Sequence, residues 1–236
     1  ISIGNKADVN EIDLLQEWVG DENTDVIIAY LEGITNGARF IDVARQVTHK
    51  KPVIALKSGS TGAGARAASS HTGTLAGSAR AYDAAFRQCG VIRAHSVQDL
   101  FDYAAAFTYQ PLLPGDNIAI VTNAGGPGIM GTDAVENAGL KLATLTAETQ
   151  KYLAEHLPPA ANVHNPIDVL GDALADRYAL AVEAALKDPH VDGVLVILTP
   201  QVMTQVVESA QAVVDVVEKM KGCGKPVLGC WMGQEI

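Results

Sequence analysis

The stretch Asn117–Gly128, NIAIVTNAGGPG, decides the fold, because it places a strand, a glycine-rich turn and a helix start in direct succession. Its first half, Asn117–Thr122, is predicted to be a strand, and a helix is predicted over Gly128–Asn137. Ligands of open α/β sheets bind at the carboxyl ends of the strands, where helix starts present unpaired N–H groups to anions. The stretch therefore predicts an α/β unit with an anion site at its glycines.

The same order of strand, small residues and helix occurs earlier in the chain. Lys51–Lys57 is predicted to be a strand and Ala79–Cys89 a helix, and between them lies Ala67–Ser78, AASSHTGTLAGS. The small side chains of that segment leave its backbone N–H groups unshielded. His71 can therefore meet a phosphate or carboxylate there with little steric competition.

Strands and helices alternate along the rest of the chain, which predicts doubly wound parallel sheets. The prolines and glycine of Gln110–Asp116, QPLLPGD, make this segment the best candidate for a domain boundary. We therefore expect an α/β protein of two flavodoxin-like domains, residues 1–110 and 115–236. Further expectations are a helix over Val9–Val19 with Asp8 as its N-cap, a loop over Asn162–Gly171 and a helix over Gln201–Lys221.

Composition and charge narrow the function. The formal net charge of −10, with no compensating basic cluster, argues against a nucleic-acid partner. No apolar run reaches the length of a membrane helix, so no membrane partner is expected. The cysteines, Cys89, Cys223 and Cys230, lack the spacing of a metal site, and we expect reduced thiols, no bound metal and a cytoplasmic location. Because the chain begins at Ile1 with strand-like residues, we expect it to be a piece of a longer polypeptide.

Nucleotide-binding motifs do not explain the two loops. Gly62–Ala67, GAGARA, fits the dinucleotide pattern but lacks its strand context, and no P-loop sequence is present. A histidine nucleophile remains, since a neutral His71 imidazole can attack phosphorus if an acceptor holds its second nitrogen. Glu32, at the carboxyl end of a strand in the same sheet, is a candidate for that acceptor or else a surface carboxylate. Lys57 and Arg66 flank the loop with charge suited to phosphate, or are ordinary solvated residues.

Four motifs carry a resemblance to a known family. They occur in the order Tyr30–Gly33 (YLEG), Ser69–Gly77 (SSHTGTLAG), Asn123–Gly128 (NAGGPG) and Asn165–Asp168 (NPID). Together they resemble the NDP-forming acyl-CoA synthetases, which comprise the ADP-forming acetyl-CoA synthetases and are relatives of succinyl-CoA synthetase. The resemblance spans the chain but covers only the two central flavodoxin-like domains of that family. Its CoA-binding Rossmann domain and its ATP-grasp module lie outside the match.

The resemblance implies roles for individual residues. His71 would be phosphorylated during turnover, and Glu32 would orient it. The residues implied to bind phosphate are Ser70, Thr72 and Gly73 in the first domain and Gly125, Gly126 and Gly128 in the second. The implied reaction interconverts acyl-CoA, ADP and phosphate with a carboxylic acid, CoA and ATP through an acyl phosphate and a phosphohistidine.

The resemblance also implies partners for the chain. CoA, ADP or ATP, and Mg²⁺ would bind with a CoA-binding domain and an ATP-grasp domain or subunit, and none of them to this chain alone. A small carboxylic acid and phosphate are the expected ligands, a homo-oligomer is one expected state, and the two loops are expected to face each other across one phosphate. The alternatives are an acyl-CoA-sensing region of a protein lysine acetyltransferase and a non-catalytic anion-binding module. The histidine favours the enzyme, because such sensors tend to lack it.

Overall fold

The computed structural model describes residues 1–4, 6, 8–59 and 79–233. The chain divides into two compact units, Ile1–Tyr109 and Gln110–Ile236. Each unit contains a sheet of parallel strands connected by helices, which confirms the α/β fold class. Within the described ranges, no helix combines the length and apolar character needed to cross a membrane.

The first unit is built on the strand order β1-β2-β3, with β2 in the centre. Its elements are α1 (Glu11–Trp18), β1 (Ile27–Leu31), α2 (Gly37–Thr48), β2 (Val53–Lys57), α3 (Ala79–Cys89), β3 (Ile92–Ala94) and α4 (Val97–Tyr109). Side chains of β2 alternate between two apolar clusters: Ala55 packs with residues of α1, α2 and α3, whereas Ile54 packs with Leu100 of α4. The sheet is therefore covered on both faces, as its apolar strands predict.

Helix α1 starts later than the sequence predicts. Asn10, rather than Asp8, is the N-cap, because its Oδ1 accepts a hydrogen bond from the Ile12 N–H at 2.8 Å. The Asp13 carboxylate accepts in return from the Asn10 N–H at 3.1 Å, which completes a capping box. Both Asp8 and Asn10 are cap-forming residue types with an acidic residue three positions later, Glu11 and Asp13, so the sequence does not distinguish them.

The second unit is centred on a strand that has neighbours on both sides. Its elements are β4 (Asn117–Thr122), α5 (Gly125–Asn137), β5 (Lys141–Leu142), α6 (Ala147–His156), β6 (Ile167–Asp168), α7 (Ala175–Lys187), β7 (Gly193–Leu198), α8 (Val206–Lys219) and β8 (Val227–Trp231). The strand order is β5-β4-β7-β8, and β6 also pairs with β4. Ala119 and Val121 face a cluster formed with α6, α7 and α8, whereas Ile118 and Ile120 face Val135 of α5. Helices thus cover both faces, as a doubly wound sheet requires.

Three predicted boundaries in this unit are wrong. Helix α5 begins at Gly125 instead of Gly128, since its first turn needs no internal N–H partners and tolerates the proline at Pro127. Helix α8 begins at Val206, because Gln201 and Thr204 close a separate turn through two hydrogen bonds of 2.9 and 3.0 Å. The predicted loop over Asn162–Gly171 contains the short strand β6.

The Asn165 side chain takes the place of a strand beside β4. Its Oδ1 accepts from the Ile120 N–H at 2.9 Å, and its Nδ2 donates to the carbonyls of Ile118 at 2.7 Å and Ala143 at 3.0 Å. Strand β5 pairs with the start of β4 and β6 with its end, so the amide fills the gap between the two. Asn165 therefore satisfies buried backbone groups that no strand reaches.

We expect Asn165→Ala to lower the free energy of unfolding of the second unit by about 2–4 kcal/mol, because the buried Ile120 N–H and Ala143 carbonyl lose their partner and the Ile118 carbonyl keeps only the Ala143 N–H. Trp231 lies in β8, so its fluorescence during urea denaturation in a Trp18→Phe background reports on this unit. The matched control is His164→Ala at the exposed neighbouring position, which should change the free energy of unfolding by less than about 0.5 kcal/mol. Equal stability of the two variants would contradict the role of the amide.

Candidate active site

The predicted histidine loop lies outside the described residues. His71 and the predicted phosphate contacts Ser70, Thr72 and Gly73 all fall within residues 60–78. Their roles therefore stay predictions, as does the expectation that the two loops face each other across one phosphate.

Glu32 follows the last residue of β1, at the carboxyl edge of the first sheet. Leu31 lies in register with Lys57, and the Ser58 N–H donates to the Leu31 carbonyl at 3.0 Å, so both strands end at the same level. The Glu32 side chain is exposed, and its carboxylate accepts no hydrogen bond from the described part of the chain. Such a carboxylate can accept a hydrogen bond from an N–H group of another residue at this edge.

Two further side chains at this edge form a contact that sequence reasoning missed. Lys57 is only 3% exposed, so the alternative that it is an ordinary solvated residue is wrong. Its ammonium lies 4.8 Å from the centre of the Tyr82 ring, which belongs to α3. The Tyr82 hydroxyl accepts from the Ile34 N–H at 3.1 Å and so ties α3 to the loop that follows Glu32. No motif marks Tyr82, because its partners are distant in sequence.

In the second unit, Asn123 fixes how the chain leaves β4. It is 2% exposed, its Oδ1 accepts from the Thr199 N–H at 2.9 Å, and its Nδ2 donates to the Thr199 carbonyl at 2.9 Å. The amide thereby extends the pairing of β4 with β7 by one residue. The preceding Thr122 hydroxyl accepts from the Ala124 N–H at 3.1 Å. These contacts hold the start of α5 at the carboxyl edge of the second sheet.

The three predicted phosphate-binding glycines occupy two different environments. A Cβ atom added to Gly125 or Gly126 would meet nothing within 4 Å, and the N–H groups of both have no acceptor among the described residues. Gly128 is buried, its N–H donates to the Ala124 carbonyl at 3.1 Å, and an added Cβ would lie 3.0 Å from Cγ2 of Thr122. The structure thus leaves two amides open for a ligand, while Gly128 lets α5 pack closely against β4.

The start of α5 has the chemistry of an anion site. No side chain caps it, and its first turn carries no acidic residue. The unpaired N–H groups and the helix dipole therefore both favour a negatively charged ligand such as phosphate. In the described ranges, no group of three or more His, Cys, Asp or Glu side chains is placed to hold a metal ion.

Two protein-family models match this chain. Residues 1–107 match the succinyl-CoA ligase like flavodoxin domain, and residues 118–235 match the Ligase-CoA domain. The chain belongs to the NDP-forming acyl-CoA synthetase family. The flavodoxin-like character of both predicted domains is thereby confirmed.

Relatives of this chain include acetate–CoA ligases. It is 45% identical over 235 residues to acetate–CoA ligase [ADP-forming] I of Archaeoglobus fulgidus, and the match covers 100% of this chain and 33% of that protein. It is 46% identical over 236 residues to acetate–CoA ligase [ADP-forming] II subunit alpha of Pyrococcus furiosus, with 98% of this chain and 51% of that subunit covered. The chain therefore spans a third to a half of the length of these relatives.

A solved structure with the same fold is the dinucleotide forming acetyl-coenzyme A synthetase 1 of Ca. Korarchaeum cryptofilum, in complex with phosphate and ADP. The TM-score is 0.90 at 40% sequence identity, and the match covers 99% of this chain and 51% of that one. The fold shared by the two proteins extends over both units of this chain.

Alanine at Gly126 and at Gly128 should have different effects on the stability of this chain. Gly126→Ala adds a side chain in open space on a helix, so we expect unchanged stability or a gain of up to about 1 kcal/mol. Gly128→Ala forces a methyl group against β-branched Thr122, and we expect a loss of about 1–2 kcal/mol. Chemical denaturation measures both values. Similar losses in the two variants would show that Gly128 has no special packing role.

Proposed function

We propose that the chain is part of an ADP-forming acyl-CoA synthetase, which interconverts acyl-CoA, ADP and phosphate with a carboxylic acid, CoA and ATP. The observation that carries the proposal is the pair of open amides at Gly125 and Gly126, in a chain that belongs to this enzyme family. Its relatives named above are acetate–CoA ligases, and the related solved structure contains phosphate and ADP. Phosphate is a reactant that this helix start is suited to bind.

The reaction is proposed to proceed in three displacements. A phosphate oxygen attacks the acyl carbon, the C–S bond breaks, and CoA leaves as the thiolate; the amides of Gly125 and Gly126 hold the attacking phosphate. The unprotonated nitrogen of the neutral His71 imidazole then attacks phosphorus, the P–O bond to the acyl group breaks, and the carboxylate leaves. In the last step an oxygen of ADP attacks the phosphohistidine, which forms ATP and restores the neutral imidazole.

Glu32 is proposed to hold His71 in the reactive orientation. Its exposed carboxylate has no hydrogen-bond partner among the described residues. It can therefore accept a hydrogen bond from the N–H of the imidazole nitrogen that does not react. That hydrogen bond fixes the tautomer and stabilises the positive charge that forms as the imidazole attacks. Ser70, Thr72 and Gly73 are proposed to contact the phosphoryl group that His71 carries, and Gly128 stays a proposed phosphate contact beside Gly125 and Gly126.

The complete enzyme is proposed to include a CoA-binding domain and an ATP-grasp domain or subunit. The relatives are two to three times as long as the region that this chain matches, which supports additional domains or subunits. Mg²⁺ would accompany the nucleotide there and neutralise its phosphates. The acetyltransferase region and the non-catalytic anion module remain alternatives that no observation favours.

We expect His71 to become phosphorylated when the complete enzyme is incubated with radiolabelled ATP. The label should be lost in acid and survive alkali, because the P–N bond of phosphohistidine is acid-labile. His71→Ala should abolish it, and His95→Ala at an unrelated histidine should not. Label that persists at the parent level in His71→Ala would contradict the assignment.

Glu32→Gln should slow phosphorylation of the histidine by about a hundredfold, the scale of losing one positioned catalytic group. Single-turnover labelling measures this rate, and thermal unfolding should be unchanged because the side chain is exposed. The matched control is Glu22→Gln, which makes the same change at an exposed position before β1. Equal rates in the two variants would leave Glu32 without a role in the reaction.

A further inference from the structure

Lys57 is a buried lysine at the carboxyl end of the central strand of the first sheet. It is 3% exposed and lies on the face of β2 that packs against α3, as Ala55 does two residues earlier. Its ammonium donates to the carbonyl of Ser58 and lies over the Tyr82 ring. The aliphatic stem is thus enclosed, and the charged end is held at the edge of the sheet where Glu32 also lies.

The ammonium of Lys57 forms no salt bridge in the described part of the chain. No described carboxylate forms an ion pair with it, and the Ser58 carbonyl is the acceptor of its hydrogen bond. Arg93 lies on the same face of the sheet, since it is in register with Ala55, but its guanidinium is paired with Asp83. Lys57 and Arg93 thus place two cations here. The Asp83 carboxylate pairs with Arg93, and the exposed Glu32 carboxylate acts on Lys57 without forming an ion pair.

The pKa of Lys57 reflects its burial and the charges around it. Burial lowers the pKa of Lys57, the nearby Arg93 charge lowers it further, and Glu32 acts in the opposite direction. A buried ammonium without a salt-bridge partner destabilises the fold, and an apolar side chain of similar length would fit the site better. Groups retained at a cost to stability concentrate at functional sites, where a ligand supplies what the protein lacks.

We propose that Lys57 binds a phosphoryl group at the carboxyl edge of the first sheet. The inference rests on the proposed function, because that reaction brings a tetrahedral, multiply charged anion to the enzyme. An ammonium donates strong, charge-assisted hydrogen bonds to such oxygens, and the anion supplies the direct ion pair that Lys57 lacks among the described residues. Inorganic phosphate and the phosphoryl group carried by the protein share this chemistry, so the experiment separates them.

The test compares Lys57→Met with Lys51→Met in the complete enzyme. Lys57 is the last residue of β2, whereas Lys51 precedes the amino end of that strand. Lys51 donates to the carbonyls of Trp18 at 2.7 Å and Asp21 at 2.5 Å. Methionine keeps the unbranched stem and removes the charge. We expect Lys57→Met to retain or raise the midpoint of thermal unfolding, and Lys51→Met to lower it because two hydrogen bonds are lost.

Two kinetic measurements identify the bound group. If Lys57 binds inorganic phosphate, Lys57→Met raises KM for phosphate by about 10- to 100-fold, the scale of a lost charge-assisted hydrogen bond, and leaves KM for acyl-CoA unchanged. If it binds the protein-borne phosphoryl group, KM for phosphate stays unchanged and labelling of the histidine by ATP slows by a similar factor. Lys57→Arg should recover part of either loss, and Lys51→Met should show neither.

The inference would be overturned if Lys57→Met had the same KM for phosphate and the same rate of histidine labelling by ATP as the parent enzyme. A lowered unfolding midpoint with equal losses in every kinetic parameter would also overturn it, because that pattern belongs to a structural lysine. The parent enzyme serves as the separate check on the proposed function. If it forms no acid-labile label from ATP, the proposed function fails, whereas a labelled parent beside an unaffected Lys57→Met removes only the role of Lys57.

Discussion

The hydrogen bonding of β4 is the constraint on which the second unit depends. Strand β7 pairs with one side of β4, and β5, the Asn165 amide and β6 complete the other. The Asn123 amide continues that pairing to Thr199, so the chain leaves the sheet at a fixed point. Helix α5 must begin there, and its open amides are consequently held at the edge where ligands of α/β sheets bind.

The sequence predicts those features of the fold that depend on the local pattern of apolar and polar residues. Apolar runs and helical spacing predict the strands, most helices and the fold class, because one periodicity dictates each element. It cannot predict that Asn165 replaces a strand, since its partner Ile120 lies 45 positions away and any loop asparagine looks the same. Likewise, Gly125, Gly126 and Gly128 look alike in the sequence. The burial of Gly128 against Thr122 distinguishes it from Gly126 only in the structure.

The candidate site shows the same division. Glu32 and the glycines are predictable because each follows a recognisable strand, and a carboxyl edge gathers them. The burial of Lys57 is not predictable, since a lysine that ends a strand is usually solvated. Tyr82 encloses it from another element, and Asp83 pairs with Arg93, so Lys57 has no salt bridge among the described residues. Each unit thus presents hydrogen-bond donors at its own carboxyl edge, and an anion is the kind of ligand to which such donors are suited.

The central claim is that phosphate binds the open amides at the start of α5. It is tested most directly by titrating inorganic phosphate into the complete protein carrying isotope-labelled glycine, with the amide resonances followed by NMR. The signals of Gly125 and Gly126 should shift together and saturate, and that of Gly139, beyond the other end of α5, should not move. Unshifted Gly125 and Gly126 signals, or an equal response at Gly139, would contradict the claim.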